Sequence, residues 1–185
     1  MTGIKLDKNQ IGVEGAKSIA AALPSSKVRW ILLNNNQIGD EGAIALAAAL
    51  PSSKVNWIEL NNNQIGDEAA KALAAALPSL KVSLMTSRIY LRGNKISDEG
   101  VKAIAVVLPS SKVTHIDLDE NQIGDEGAKA LAAALPSSKV TEIYLLYNNQ
   151  IGDEGAKALS GCVNSDGKII SFPRQPPLIP WWLEQ

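Results

Sequence analysis

The sequence predicts an α/β solenoid, with about six short parallel strands forming a concave sheet and six helices covering its convex side. Three observations predict it. The segment QIGDEGA, or a near copy, begins at Gln10, Gln37, Gln64, Lys95, Gln122 and Gln150. Successive copies are 27, 27, 31, 27 and 28 residues apart, which is the signature of a repeat array with two insertions. Each unit also splits into a strand half and a helix half, neither able to bury an apolar face alone.

The strand half reads V-x-x-I-x-L-x-x-N-x-I, as in Val28, Ile31, Leu33, Asn36 and Ile38. Alternation at Ile31 and Leu33 gives a short strand with one apolar face. The helix half reads G-D-E-G-A-K-A-L-A-A-A-L-P, as in residues 124–136. Asp40, Asp67, Asp98, Asp125 and Asp153 are expected as N-caps, each followed by a glutamate suited to a helix start. Ala43, Leu46, Ala47 and Leu50 recur at helical spacing, and Pro51 ends the helix, as Pro24, Pro78, Pro109 and Pro136 do elsewhere. Alanine-rich inner faces allow each helix to lie close behind its strand.

The insertions fall at residues 82–87, before the fourth strand, and among residues 146–149, after the sixth. The first belongs in a loop, which either carries a contact or merely bulges. The second leaves either Asn148 or Asn149 in the role of Asn36. The array is expected over residues 1–163. It begins inside a repeat, so its first strand edge is expected to be open, and the chain is either natively short or part of a longer array. Residues 164–185 are expected to fold over the last unit as a cap. Ile169 and Phe172 keep a trace of a seventh strand before Pro173. Trp181 and Trp182 beside Pro-rich sequence leave a docking peptide as the rival reading.

This pattern resembles the leucine-rich repeat, and the period with a full helix resembles its ribonuclease-inhibitor-like subclass. The IGDEGAKALA stretch is similar to repeats of NOD-like receptors, Ran GTPase-activating proteins and effectors of intracellular bacteria. The resemblance implies that Asn9, Asn36, Asn63, Asn94 and Asn121 form an asparagine ladder. Such an amide satisfies backbone groups freed at a strand's end.

Composition narrows the function classes. Eighteen basic residues against nineteen acidic ones leave a net charge of −1, without the basic surplus of a nucleic-acid binder. One cysteine and one histidine exclude an internal disulfide and the usual metal cages. No cofactor is expected. No run has the length of a membrane span, the N-terminus lacks a signal-peptide pattern, and no glycosylation sequon occurs. The expected location is the cytoplasm, or the host cytosol for a secreted bacterial effector.

The helix halves are near copies, and variation is concentrated at the strand positions facing away from the helices. With Ile31 and Leu33 inward, these are Gly3, Lys5, Asp7 and Lys8 in the first unit. They become Trp30, Leu32, Asn34 and Asn35, then Trp57, Glu59, Asn61 and Asn62. The last three units place Arg88, Tyr90, Arg92 and Gly93, then His115, Asp117, Asp119 and Glu120, then Glu142, Tyr144, Leu146 and Tyr147. Five of the eight aromatic residues fall on this face. Trp30 and Trp57 occupy the same position of adjacent strands and are expected to stack side by side.

Exposed Trp and Tyr interleaved with Arg have the composition of a protein-binding hot spot. The candidate partner-binding residues are therefore Trp30, Trp57, Glu59, Arg88, Tyr90, Arg92, His115, Asp117, Asp119, Glu142, Tyr144 and Tyr147. A monomeric, non-catalytic module binding a protein partner is expected. His115 with Asp117 is a weak acid–base candidate that lacks a partnered nucleophile. Resemblance to the Ran-specific family implies an alternative GTPase-activating role through Arg29, Arg88 or Arg92. A self-associating structural module is the other alternative.

Overall fold

A computed structural model describes residues 2–80, 87–145, 147 and 150–162. The strand halves form β1 (Gly3–Lys5), β2 (Trp30–Leu32), β3 (Trp57–Glu59), β4 (Ser87–Tyr90), β5 (Val113–Asp117) and β6 (Glu142–Tyr144). All six pair in parallel, in chain order, in one sheet. Equivalent residues stand side by side: Ile4, Ile31, Ile58, Ile89, Ile116 and Ile143 share one row. From β2 onward these isoleucines are buried, as are Leu33, Leu60, Leu91 and Leu118.

The helix halves form α1 (Val13–Ala22), α2 (Gly39–Ala49), α3 (Asp67–Ala76), α4 (Asp98–Val107), α5 (Asp125–Ala134) and α6 (Asp153–Leu159). Each packs on the next in sequence, burying alanines such as Ala16, Ala43, Ala70, Ala105 and Ala128. A short 3₁₀ turn, Leu-Pro-Ser, closes α2 through α5, and its leucine (Leu50, Leu77, Leu108, Leu135) is buried. Proline thus ends α2 through α5, as the sequence predicts, but one tighter turn later. The following serine finishes the turn. Ser53 Oγ donates to the Leu50 carbonyl at 2.8 Å and accepts from the Val55 N–H at 3.2 Å, and Ser138 repeats both bonds.

The asparagine ladder is present. Asn94 Nδ2 donates to the carbonyls of Leu60 and Leu91, while its Oδ1 accepts from the N–H groups of Asn63 and Ile65. Asn36, Asn63 and Asn121 make the same kinds of bond. Asn9, in the first unit, is exposed and bonds only locally, to the carbonyls of Leu6 and Asp7.

The aspartates differ from expectation. The N-cap residues of α1 through α6 are Gly12, Ile38, Gly66, Ser97, Gly124 and Gly152, and the aspartates stand in the first turn of α2 through α6. Four of their carboxylates reach forward to the next helix start instead of capping their own. Asp40 accepts from the Gly66 N–H at 2.6 Å, Asp98 from Gly124 at 2.7 Å and Asp125 from Gly152 at 2.7 Å. Asp67 accepts from the N–H groups of Ser97 and Gly100 and from the Ser97 hydroxyl. A second ladder therefore joins consecutive units on the helix side. It has the electrostatics of a helix cap, carried across the repeat boundary.

The expected cap at residues 164–185, residues 82–86 of the insertion, and the choice between Asn148 and Asn149 lie outside the described residues.

A candidate protein-binding face

The strand residues between the buried ones form the sheet face opposite the helices. Their register sets out two complete rows. The first runs Gly3, Trp30, Trp57, Arg88, His115, Glu142, and the second Lys5, Leu32, Glu59, Tyr90, Asp117, Tyr144. Neighbours within a row are about 4.8 Å apart along the backbone, so long side chains must interact.

Trp30 and Trp57 are register partners, but each leans on a different neighbour. The Trp30 indole lies over Gly3, where a β-carbon would meet its ring at 1.9 Å. Trp57 instead carries the Arg88 guanidinium over its ring, 5.0 Å from the centroid. Glycine leaves room for one indole, and arginine offers a cation to the other.

Polar bonds tie the Trp57 end together. Trp57 Nε1 donates to Glu59 Oε1 at 3.0 Å, and Asn34 Nδ2 donates to Glu59 Oε2 at 2.6 Å. Asn34 and Asn61 also hold the strand exits, each accepting through Oδ1 from the equivalent N–H of the next unit, Asn61 and Arg92 respectively. Asp7 does the same for Asn34. The next residue in each unit (Lys8, Asn35, Asn62, Gly93, Glu120, Tyr147) is left-handed, with φ between 52° and 68°. Asn62 donates to Asn35 there, and a β-carbon on Gly93 would strike the Asn62 amide.

At the other end, Tyr144 donates its hydroxyl to Glu142 Oε2 at 3.0 Å, and His115 Nε2 stands 3.5 Å from the same oxygen. Thr114 Oγ1 lies 2.9 Å from His115 Nδ1. Burial dominates at His115 and pushes its pKa down; Glu142 opposes the shift and Arg88 adds to it. Burial likewise pushes the Asp117 carboxyl up, against the N–H of Asp119 and the charge of Arg92. Tyr90 is raised chiefly by burial, and Tyr144 chiefly by its bond to Glu142.

Most sequence-predicted site residues come together on this face. Trp30, Trp57, Glu59, Arg88, Tyr90, His115, Asp117, Glu142 and Tyr144 are partly exposed along five neighbouring strands, β2 through β6. Arg92 and Tyr147 are exposed at the strand exits, with Arg92 ion-paired to Glu120. Asp119 departs from expectation: it is 5% exposed and adds little to a surface acidic patch. Alternation places Asn34 on this face but outside the candidate set, because its bond to Glu59 joins residues 25 positions apart. His115 and Asp117 point out from one strand, but the described ring contacts of His115 go to Thr114 and Glu142. Among the described residues, no cluster of three metal-ligating side chains occurs, and no helix is long and apolar enough to cross a membrane.

Comparison with known proteins places this geometry. A search of curated proteins found no match. Among solved structures, the fold is similar to leiomodin-1 actin-binding site 2, with a TM-score of 0.61 and 21% identity over 79% of this chain and 80% of that one. A family model described as leucine-rich repeat matches residues 2–20, 33–47, 57–74, 88–105, 110–132 and 137–160, more than half of the sequence and one segment for each strand–helix unit. The chain belongs to the leucine-rich repeat family.

Proposed function

We propose that this protein is a non-catalytic interaction module that binds a protein partner through the sheet face opposite its helices. The observation that carries the reading is the concentration of Trp30, Trp57, Tyr90 and Tyr144 on that face, partly exposed and unused by the aliphatic core. Rigid aromatics beside Arg88 supply contact area at low entropic cost, the composition of hot spots. The variation of these positions between otherwise similar units supports the same reading, since a shared scaffold with one tuned face varies there. Arg92, His115, Asp117, Glu142 and Tyr147 complete the proposed contact set with Glu59, and Asp119 supports it from below. The actin-binding label of the leiomodin-1 structure names one use of such a fold as a protein binder.

The test is a quantitative pull-down from lysate comparing wild type with Trp30→Ala/Trp57→Ala. Partners retained by the wild type and lost by a folded double mutant support the reading. An unchanged partner set contradicts it.

A further inference from the structure

Resting on that reading, we propose that the second row of the sheet face, Tyr90–Asp117–Tyr144, is a slot for an arginine side chain on an extended basic segment of the partner. The row alternates carboxylates and aromatics across four strands in register: Glu59, Tyr90, Asp117, Tyr144. Asp117 stands between the two tyrosines, and both tyrosines feel its charge. A planar guanidinium fits such a site, stacking on a phenol face while its N–H groups reach the carboxylate.

The slot's own bonding leaves room for that cation. Asp117 Oδ1 accepts from the Asp119 N–H at 3.0 Å, and Oδ2 accepts from no described residue. The Asp117 side chain is only partly exposed, so burial disfavours its charge. Nearby arginines are occupied: Arg92 pairs with Glu120, and Arg88 lies over Trp57 while its side chain also hydrogen-bonds Tyr90 at the edge of the slot. Glu59, at one end of the row, receives the neutral donors Trp57 and Asn34. Glu142 adds a further carboxylate beside Tyr144. Excess negative charge in a half-buried row between π faces favours a positive side chain and repels an acidic one.

The experiment uses the whole chain and short acetylated peptides of alternating alanine with arginine, glutamate or norleucine, read by titration and backbone amide NMR shifts. The arginine peptide should bind with shifts centred on Tyr90, Asp117 and Tyr144, and bind more weakly as salt rises. Asp117→Asn keeps the Oδ1 acceptor for Asp119, so the fold should persist while affinity falls about tenfold. Tyr90→Ala or Tyr144→Ala should cost about three- to fivefold. Glu126→Gln, on the helix side, should leave affinity unchanged. No arginine-peptide binding up to about 1 mM, or equal losses for Asp117→Asn and Glu126→Gln, overturns the slot. If the norleucine or glutamate peptide binds the same strands instead, the slot fails while the sheet-face reading stands. If bound peptides shift only helix amides, both fail.

Discussion

The helix side and the open sheet face of this array obey different rules. On the helix side each residue is fixed by the unit before or after it. Asp67 must meet the N–H groups of Ser97 and Gly100, and Gly100 must stay small because a β-carbon would lie 2.6 Å from Asp67. Such a ladder tolerates little change, which is why QIGDEGA recurs. On the sheet face, tryptophan, arginine, histidine and glutamate replace one another at a single register position. No shared bond dictates the residue there. The difference separates what holds the array together from what it presents.

One junction tests the first rule naturally. The first unit carries Val13 where the others carry aspartate, so no carboxylate awaits Gly39. Gly39 is left-handed, φ 62°, and its N–H bonds to the Asn63 carbonyl at 2.9 Å; its equivalent Gly66 is extended and bonds to Asp40. The backbone group finds another acceptor, as a half-buried N–H must.

Breaking the ladder should produce the largest effect on stability. Asp67→Ala removes the acceptor for two backbone N–H groups and a hydroxyl, and should destabilise by about 2–3 kcal/mol in urea denaturation. Gly93→Ala comes next. It forces alanine to φ 68° against the Asn62 amide and should cost about 1–2 kcal/mol. Val13→Asp sharpens the comparison by restoring the missing rung. It should add about 0.5–1 kcal/mol, and the Gly39 amide should show slower hydrogen exchange.

The smallest effect separates presentation from support. Because burial raises the folded-state pKa of Asp117, the folded chain holds that proton more tightly than the unfolded chain does. Stability therefore falls as pH rises from the ordinary 3.8 through the folded value, and the charge's cost is fully present at neutral pH. Asp117→Asn should raise the melting temperature slightly at pH 7, and the gain should vanish below pH 3.8. An acid whose removal stabilises the fold is one the scaffold does not need.

Much of this was legible in the sequence. Period-2 alternation placed every strand, and alanine spacing with proline stops placed the ends of α1 through α5 to within a turn. The asparagine ladder followed from resemblance, and the outward strand positions followed from alternation alone. Several contacts were not legible, for one physical reason: they join residues about one repeat apart. Asp67 reads as a local cap because aspartate before a helix usually is one, yet its partners lie 30 and 33 residues on. The Trp30 ring over Gly3 depends on what the neighbouring unit lacks. Asp119 reads as outward by alternation, but the chain has already left the strand there and the side chain is buried. The left-handed residue after it carries no common residue type: lysine, asparagine, glycine, glutamate and tyrosine all occur.

The central claim is that binding resides on the sheet face and stability on the helix side. Its most direct test is the affinity of the captured partner for two variants with matched melting temperatures. Trp57→Ala/Tyr90→Ala should lose on the order of 2 kcal/mol or more in binding. Lys102→Ala/Lys129→Ala, which alters only exposed helix-side ion pairs, should bind like wild type. A loss confined to the lysine pair, or equal losses in both, would contradict the account.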